Sequence, residues 1–192
     1  MKKIVVFDFD GTLSWPDTNV EFQRFAMRRS VWPWICLPLT IFGVLMKYVS
    51  ANAAWRRNLA RRYQTKKLLA RLGPDFIRHH LRNRFGWAAE QVARERAMGN
   101  FVVLVSASPD YFVRPLVKDM GFDLIVASVM DKKRPWRLKF LCYGENKVAA
   151  LDRAIKSYKI IRAYADSKSD LPIMSKAAEQ VWINPRTGCR KS

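Results

Sequence analysis

The sequence predicts an α/β protein with a doubly wound, mostly parallel sheet and a helical cap inserted after the first strand. Short apolar runs that end in acidic or hydroxyl residues alternate with helix-like segments, the pattern of a parallel sheet covered on both faces. Residues 14–85 interrupt that alternation with helical periodicity. The 192 residues, 49% of them hydrophobic, are enough for one domain carrying such an insertion.

The first predicted strand, residues 4–7, is a β-branched and aromatic run that ends in acidic and glycine residues. Similar runs occupy residues 101–105, 124–127, 160–165 and 181–183. The helix-like segments between them are residues 87–98, 109–120, 146–157 and 169–178. We therefore assign residues 1–13 and 86–192 to the α/β core and residues 14–85 to the inserted cap. Ligands of such sheets bind at the carboxyl ends of the strands, where we expect the site.

Charge is concentrated in the insertion. The formal net charge is +19, and residues 24–84 hold 14 basic residues against one acidic residue, Asp75. Such an excess predicts an anionic partner: a phosphorylated substrate, an acidic lipid surface or nucleic acid. The three cysteines are far apart in sequence, which favours a reducing compartment. The initial apolar run stops after four residues, so secretion is not expected.

The insertion contains two unusual segments. Residues 31–46 carry no charge, and residues 53–72 are predicted to form one basic amphipathic helix. Sixteen helical residues span about 24 Å, less than a membrane crossing needs. A crossing would also separate the two halves of the core. We expect residues 31–46 to dip into a bilayer or lie in its interface, or alternatively to form the buried core of the cap.

Two carboxylates follow the first strand. Asp8 and Asp10 flank Phe9, and because strand side chains alternate, both carboxylates point to the same side. Gly11 and Thr12 then form a tight exit that lets backbone and ligand approach closely. Taken alone, the tetrapeptide of residues 8–11 is as compatible with a solvated turn as with a ligand site.

Four ordered motifs resemble those of the haloacid dehalogenase-type phosphohydrolases. Residues 8–13 (DFDGTL) resemble the first motif, Ser106 at the end of a strand the second, Lys147 at the start of a helix the third, and residues 166–170 (DSKSD) the fourth. The resemblance implies a Rossmann-like fold of this type. The size and position of the insertion resemble the subgroup that contains phosphoserine phosphatase, subclass IB.

The resemblance implies a catalytic role for each carboxylate. Asp8 would attack the phosphoryl group and form an aspartyl-phosphate. Asp10 would protonate the leaving alkoxide and then deprotonate the hydrolytic water. Mg²⁺ would be held by Asp8, the backbone carbonyl of Asp10 and Asp166, so that it neutralises the repulsion between carboxylate and phosphate.

Further residues would support these groups. Asp170 and Ser167 would contact the groups that bind the metal and the phosphate. Asp170 would orient Lys147 or a metal-bound water. Asp17 would contact the leaving group, or alternatively cap a helix. His79 and His80 show no metal-ligand spacing and are interpreted as basic surface residues. The groups expected to hold the phosphoryl oxygens are Ser106, Ala107, Lys147, Gly11 and Thr12.

A second resemblance bears on the substrate. The apolar insertion, residues 106–109 (SASP) and residues 142–148 (CYGENKV) resemble the bacterial phosphatidylglycerophosphatase C group, although Ala107 stands where a glycine is common. It implies a phospholipid substrate, phosphatidylglycerophosphate converted to phosphatidylglycerol. It also implies a peripheral or monotopic protein on the cytoplasmic side of the bacterial inner membrane, with the anionic membrane surface as partner.

Two alternatives remain open at this point. One is a cytoplasmic, soluble phosphatase of phosphoserine or another small phosphomonoester. The other is a non-catalytic module that binds anions through the basic insertion. We expect no nucleic acid partner, since a pure anion binder has no use for carboxylates that repel its ligand. The oligomeric state is left open.

Overall fold

The computed structural model describes residues 1–46 and 52–191, which are built around a six-stranded sheet. In chain order the strands are β1 (Lys2–Phe7), β2 (Phe101–Pro109), β3 (Leu124–Met130), β4 (Leu138–Phe140), β5 (Tyr158–Ala165) and β6 (Glu179–Trp182). Their spatial order is β4-β3-β2-β1-β5-β6. After β1 the chain adds β2, β3 and β4 on one side of β1, and it then adds β5 and β6 on the other side. The order of the strands therefore reverses at β1, while the strands next to β1 stay parallel to it.

The central strand β1 runs parallel to both of its neighbours. Ile4 pairs with Phe101 of β2 and with Ile160 of β5. The β2–β3 and β5–β6 pairs are also parallel, and the β3–β4 pair is antiparallel. The predicted fold class, a mostly parallel α/β sheet, is confirmed. The edge strand β4 was not predicted, because three residues with a lysine at their centre give no apolar run.

Nine α-helices surround the sheet in the described part of the chain. They are α1 (Thr18–Met27), α2 (Trp32–Ile35), α3 (Leu37–Leu45), α4 (Ala53–Ala60), α5 (Lys66–His80), α6 (Ala88–Ala97), α7 (Asp110–Leu116), α8 (Glu145–Ala154) and α9 (Leu171–Met174). Short 3-10 helices cover Leu81–Asn83 and Lys168–Asp170. The first five α-helices lie in the insertion and the last four in the core.

Side chains of β1 alternate between two hydrophobic cores, one on each face of the sheet. Val5 and Phe7 pack into the core shared with α6, α7 and the insertion. Ile4 and Val6 pack into the core beneath α8 and α9. Because both faces are covered, the strand is a continuous apolar run and not an alternating one.

Aromatic side chains of the cap pack against an aromatic side chain of the core. The ring of Phe22 in α1 lies 5.0 Å from that of Phe76 in α5 and 4.8 Å from that of Phe112 in α7. All three side chains are buried. Tilted and edge-to-face aromatic pairs of this kind add to the apolar burial energy, so the cap has a fixed position over the sheet.

The predicted single helix over residues 53–72 is wrong, because the chain turns between α4 and α5. Tyr63 lies in the turn with its side chain buried, where its hydroxyl donates to the backbone oxygen of Asn19 (3.3 Å). Thr65 then caps α5, its hydroxyl accepting from the Leu68 N–H at 3.2 Å. The burial of Tyr63 against α1 outweighs the continuous helical pattern.

The helix predicted over residues 169–178 is also shorter than expected. After the 3-10 turn, α9 ends at Met174. The Ala178 N–H donates to the Ile160 carbonyl at 3.0 Å, which already directs the chain into β6. The pairing of β6 with β5 therefore ends the helical segment early.

Most apolar side chains of residues 31–46 are exposed. Pro33, Cys36 and Thr40 point inward, and the Thr40 hydroxyl donates to the Ala60 carbonyl at 3.2 Å. We use the name apolar face for the exposed apolar side chains of this segment and for Trp55 of α4. The members from the segment are Val31, Trp32, Trp34, Ile35, Leu39, Ile41, Phe42, Val44 and Leu45. The alternative that this segment is the buried core of the cap is therefore wrong.

The segment is divided between two short helices, α2 and α3. Among the described residues, no helix has both the length and the apolar character that spanning a bilayer demands.

Candidate active site

The carboxyl end of β1 places two carboxylates in one cavity of about 210 Å³. Asp8 and Asp10 both line it, while Phe9 between them is fully buried in the core that the sheet shares with the insertion. The next residue, Gly11, has φ +79°, and a Cβ atom there would lie 2.4 Å from Oδ2 of Asp166. Only glycine therefore allows the β1 exit and the β5 exit to approach this closely.

Lys147 is buried between two carboxylates. Its Nζ donates to Oδ1 of Asp8 at 2.7 Å and also to Oδ1 of Asp170. Lys147 is only 2% exposed. Burial alone would lower the pKa of Lys147, but the charges of Asp8 and Asp170 outweigh it and raise the pKa. The lysine is therefore a permanent cation at the foot of the cavity.

Three carboxylates gather beside this lysine. One oxygen from each of Asp8, Asp166 and Asp170 lies within 4.8 Å of the others. Burial, partly opposed by Lys147, raises the pKa of Asp8 to about 8. Burial and the charge of Asp170 also raise the pKa of Asp166. One lysine thus leaves the cluster short of positive charge, and an oxygen-only donor set of this kind suits a hard divalent cation such as Mg²⁺.

Asp10 has a different environment. Its Oδ1 accepts from the N–H (2.7 Å) and hydroxyl (2.5 Å) of Thr18, and its Oδ2 accepts from the Ser108 hydroxyl at 2.5 Å. Burial, reinforced by the charge of Asp17, raises the pKa of Asp10 to about 7. A carboxyl group that titrates near neutral pH suits a role as proton donor and acceptor.

The predicted phosphate-binding residues divide into two groups. Lys147 and Ala107 line the cavity. Ser106 is fully buried, and its Oγ accepts from the Ser108 N–H at 3.1 Å. Thr12 is also buried, and its hydroxyl is 3.5 Å from Oδ2 of Asp8. Neither of these two hydroxyls, nor Gly11, lines the cavity wall, so their role toward the phosphoryl group stays a prediction.

Asp17 has the capping role that the sequence left open, and its contact with a leaving group stays a prediction. Its Oδ1 accepts from the N–H groups of Asn19 (2.9 Å) and Val20 (3.1 Å), so it is the N-cap of α1. It also lines the cavity. Ser167 lies at the cavity too, and its hydroxyl donates to Oδ2 of Asp170 at 3.1 Å.

His80 differs from its sequence interpretation as a surface residue: it is fully buried, with Nε2 3.2 Å from the Ser14 hydroxyl. His79 is partly exposed and pairs with Glu21 at 3.0 Å. Ser108 lies just before Pro109 and α7, and its side chain bonds to Asp10.

Several cavity residues were not predicted from the sequence. They are Asn19, Arg57, Arg61, Ser108, Tyr143 and Ser169. The serines lie beside the motifs and could have been suspected from position. The two arginines belong to a run of basic residues, and which of them turn inward depends on how the cap docks.

Comparison with known proteins identifies related chains. A family model described as haloacid dehalogenase-like hydrolase matches residues 5–175. A probable phosphatase of Mycobacterium tuberculosis is 34% identical over 114 residues, which are 56% of this chain and 40% of that protein. This chain thus spans less than half the length of the first curated relatives it matches.

Two further comparisons cover nearly the whole chain. A histidinol-phosphatase of Neisseria meningitidis is 21% identical over 214 residues, covering 96% of this chain and 91% of that one. The solved structure of a substrate-bound phosphoserine phosphatase superposes with a TM-score of 0.68 at 18% identity, covering 95% and 86% of the two chains. At this identity the structural likeness shows the fold.

Proposed function

Because this chain belongs to the haloacid dehalogenase-like hydrolase family, we propose that it is a Mg²⁺-dependent phosphomonoesterase that works through an aspartyl-phosphate. The observation that carries the proposal is the buried arrangement of Lys147 between Asp8 and Asp170, with Asp166 in the same cluster. A phosphatase needs a carboxylate nucleophile beside fixed positive charge, and this cavity supplies both.

In the first step, an oxygen of the Asp8 carboxylate attacks the phosphorus atom and the ester oxygen departs. Asp10 gives its proton to that oxygen. In the second step, a water molecule attacks the phosphorus of the aspartyl-phosphate while Asp10 takes its proton. The P–O bond to Asp8 breaks, so inorganic phosphate leaves and the carboxylate is restored.

Positive charge makes this attack possible. Lys147 would hold a phosphoryl oxygen through the one N–H that it does not donate to Asp8 or Asp170. Mg²⁺, held by Asp8, Asp166 and the backbone carbonyl of Asp10 with Asp170 nearby, would neutralise the repulsion between the carboxylate and the phosphate dianion. The hydrogen bonds that Asp10 accepts from Thr18 and Ser108 hold its carboxyl group in place.

We propose a small phosphomonoester as the substrate class. The relatives with phosphatase names, histidinol-phosphatase and phosphoserine phosphatase, support a small-molecule substrate more than a lipid. The cavity of about 210 Å³ has room for a small phosphomonoester. On this proposal the protein acts on a metabolite of the cytoplasm.

A lipid headgroup phosphate is the second candidate, and the apolar face is the observation that favours it. Trp34 and Ile35 are more than half exposed, and so are Val44 and Leu45. Many exposed apolar side chains in one segment, with exposed basic residues such as Arg28 beside it in sequence, are typical of interfacial membrane binding. On this candidate the substrate is a phospholipid such as phosphatidylglycerophosphate, and the anionic membrane surface is the partner.

One assay separates these candidates. Phosphate release by the purified protein is measured with Mg²⁺ from phosphoserine, from histidinol phosphate and from phosphatidylglycerophosphate in mixed micelles. Faster turnover of a small substrate supports the leading proposal, and faster turnover of the lipid supports the second. Absence of Mg²⁺-dependent release from all three, and from p-nitrophenyl phosphate, would contradict the phosphomonoesterase proposal itself.

A further inference from the structure

Two arginines of the cap face the catalytic cavity. Arg57 lies in α4 and Arg61 follows the last residue of that helix, so they are four residues apart and on one side of it. Both line the cavity together with Asp8 and Asp10. The cap therefore contributes two positive charges to a site whose acidic residues come from the sheet.

Each guanidinium group has one buried nitrogen without a hydrogen-bond partner among the described residues, Arg57 being half-buried and Arg61 buried. Arg61 is only 7% exposed, and its Nε donates to Oδ1 of Asn19 at 3.1 Å. Its Nη1 and the Nη1 of Arg57 are buried without a hydrogen-bond partner among the described residues. Neither arginine takes part in an ion pair there. Buried charge without a partner is costly unless an anion completes it.

These arginines lie apart from the cation that serves the reacting group. Lys147 is bonded to Asp8, whereas the acidic residue whose charge acts on Arg57 is Asp17, at the start of α1. The Arg57 guanidinium also stacks over the ring of Tyr143, 4.4 Å from its centroid. Two positively charged regions thus line one cavity, one beside the nucleophile and one beneath the cap.

A hydrogen-bonded chain connects the two regions. Arg61 donates to Asn19, the Asn19 amide donates to the Ser108 hydroxyl at 3.1 Å, and Ser108 donates to Asp10. Arg61 is therefore three hydrogen bonds away from the carboxyl group that would protonate the leaving oxygen. A group held by Arg61 would belong to the leaving-group part of the substrate.

We propose that Arg57 and Arg61 form a second anion site, and that the substrate carries a further anionic group, a carboxylate or a phosphate ester, besides the phosphoryl group that is removed. The inference rests on the proposed phosphomonoesterase function and narrows its substrate class. Guanidinium forks suit either anion because both present paired oxygens.

Matched substrates test the proposal with the full chain and Mg²⁺. Phosphoserine and phosphoethanolamine differ only by a carboxylate, and 1,3-propanediol bisphosphate and 3-hydroxypropyl phosphate differ by a phosphate ester. In at least one pair, we expect kcat/KM of the wild-type protein to be on the order of 10 to 100 times higher for the member with the second anion. The pair that shows the preference tells whether the second anionic group is a carboxylate or a phosphate ester.

Three variants assign that preference to the cap. Arg57→Gln and Arg61→Gln should each lower the preference, measured as the ratio of kcat/KM within a pair, by about tenfold or more. Arg62→Gln is the matched control, because Arg62 is exposed and stacks on Trp136 outside the cavity. Thermal unfolding of each variant checks that the cap still docks.

Two results would overturn the inference: equal kcat/KM within both pairs for the wild-type protein, or an equal loss for both members of a pair in the Arg57 and Arg61 variants. In either case hydrolysis of p-nitrophenyl phosphate, which has no second anion, would leave the phosphomonoesterase proposal intact. If the protein hydrolyses no phosphomonoester at all, the proposed function fails first and the second anion site falls with it.

Discussion

The ammonium group of Lys147 lies 2.7 Å from the carboxylate of Asp8, and both side chains are buried at the carboxyl end of the sheet. The contact joins residues 139 positions apart in the sequence. It gives the nucleophile proposed here a fixed cation before substrate arrives, and it ties catalysis to stability because both partners would be costly to leave alone.

Lys147→Met should therefore destabilise the protein as well as inactivate it. Without the lysine, Asp8 and Asp170 face each other in a buried site with no cation. In a chelator, we expect the free energy of unfolding to fall by about 3–5 kcal/mol, as when one partner of a buried ion pair is removed. Urea unfolding measures it.

Mg²⁺ should restore part of the stability that Lys147→Met loses, because a cation bound to the carboxylates of the folded state favours that state. Lys156→Met, at an exposed position, is the control and should change the unfolding free energy by less than about 0.5 kcal/mol. A Lys147 variant as stable as the control in chelator would show that the pair contributes little.

Two glycines should respond differently to the same substitution. A Cβ at Gly43 in α3 would lie 2.7 Å from the Arg56 oxygen and 2.8 Å from the Ala60 nitrogen, both in the backbone of α4. Gly43→Ala should separate the helices and cost about 1–3 kcal/mol. A Cβ at Gly73 in α5 meets nothing within 4 Å beyond its chain neighbours. Because Pro74 disfavours a helical residue with a Cβ before it, the helix propensity gained in Gly73→Ala is offset, and the change should stay below about 1 kcal/mol.

Thermal unfolding of both glycine variants compares these two changes. Since α4 carries Arg57 and Arg61, Gly43→Ala should also weaken the preference for a second anion. A Gly43→Ala variant as stable as Gly73→Ala would contradict the described packing of α3 on α4.

His80 should make stability depend on pH. Burial lowers its pKa to about 4, although Glu21 opposes the shift and His79 adds to it. His80 of the unfolded chain binds a proton near pH 6.5, whereas His80 of the folded protein binds one only near pH 4. The free energy of unfolding therefore falls as the pH decreases from about 6.5 to about 4. The full contribution is at most roughly 3 kcal/mol at about 1.4 kcal/mol per pKa unit.

His80→Gln removes this titration. Urea unfolding at several pH values should show a shallower loss of stability in the variant between about pH 6.5 and 4, by up to one proton. Identical slopes for the wild-type protein and the variant would mean that His80 does not titrate as its burial implies.

The apolar face gives a test of the second candidate function. If it binds a membrane, the protein should co-sediment with vesicles that contain phosphatidylglycerol and much less with pure phosphatidylcholine vesicles. Phe42→Glu should weaken that binding about tenfold or more, because it places a negative charge in the contact. Val20→Glu is the control, at a similarly exposed residue of α1 outside the face. Equal binding of both variants would contradict the membrane role.

Much of the core could be predicted because each strand of a doubly wound sheet is a continuous apolar run. The motifs followed from their position: residues such as Asp8 and Asp166 come directly after buried strands, whose carboxyl ends share one edge. The fold places Asp8, Asp10, Lys147, Asp166 and Asp170 around one cavity, as the resemblance to the four motifs implied, while their roles stay predictions.

The insertion was harder to predict because its structure depends on docking. The turn at Tyr63 exists because that ring packs on Phe22 of another helix (6.0 Å). His80 is buried by tertiary contacts with Ser14 and Phe76 that no local pattern reveals. The same holds for Arg57 and Arg61, whose neighbours in sequence are equally basic.

The most direct test of the central claim is the detection of a phosphoryl group on Asp8. Protein turning over p-nitrophenyl phosphate with Mg²⁺ is quenched in acid, digested with pepsin and analysed by mass spectrometry. We predict a peptide heavier by one phosphoryl group, with the group on Asp8, and no such peptide from Asp8→Asn, which should lose turnover by on the order of 10³-fold or more while remaining folded. Turnover at the wild-type rate in Asp8→Asn, or a phosphoryl group on another residue, would contradict the account.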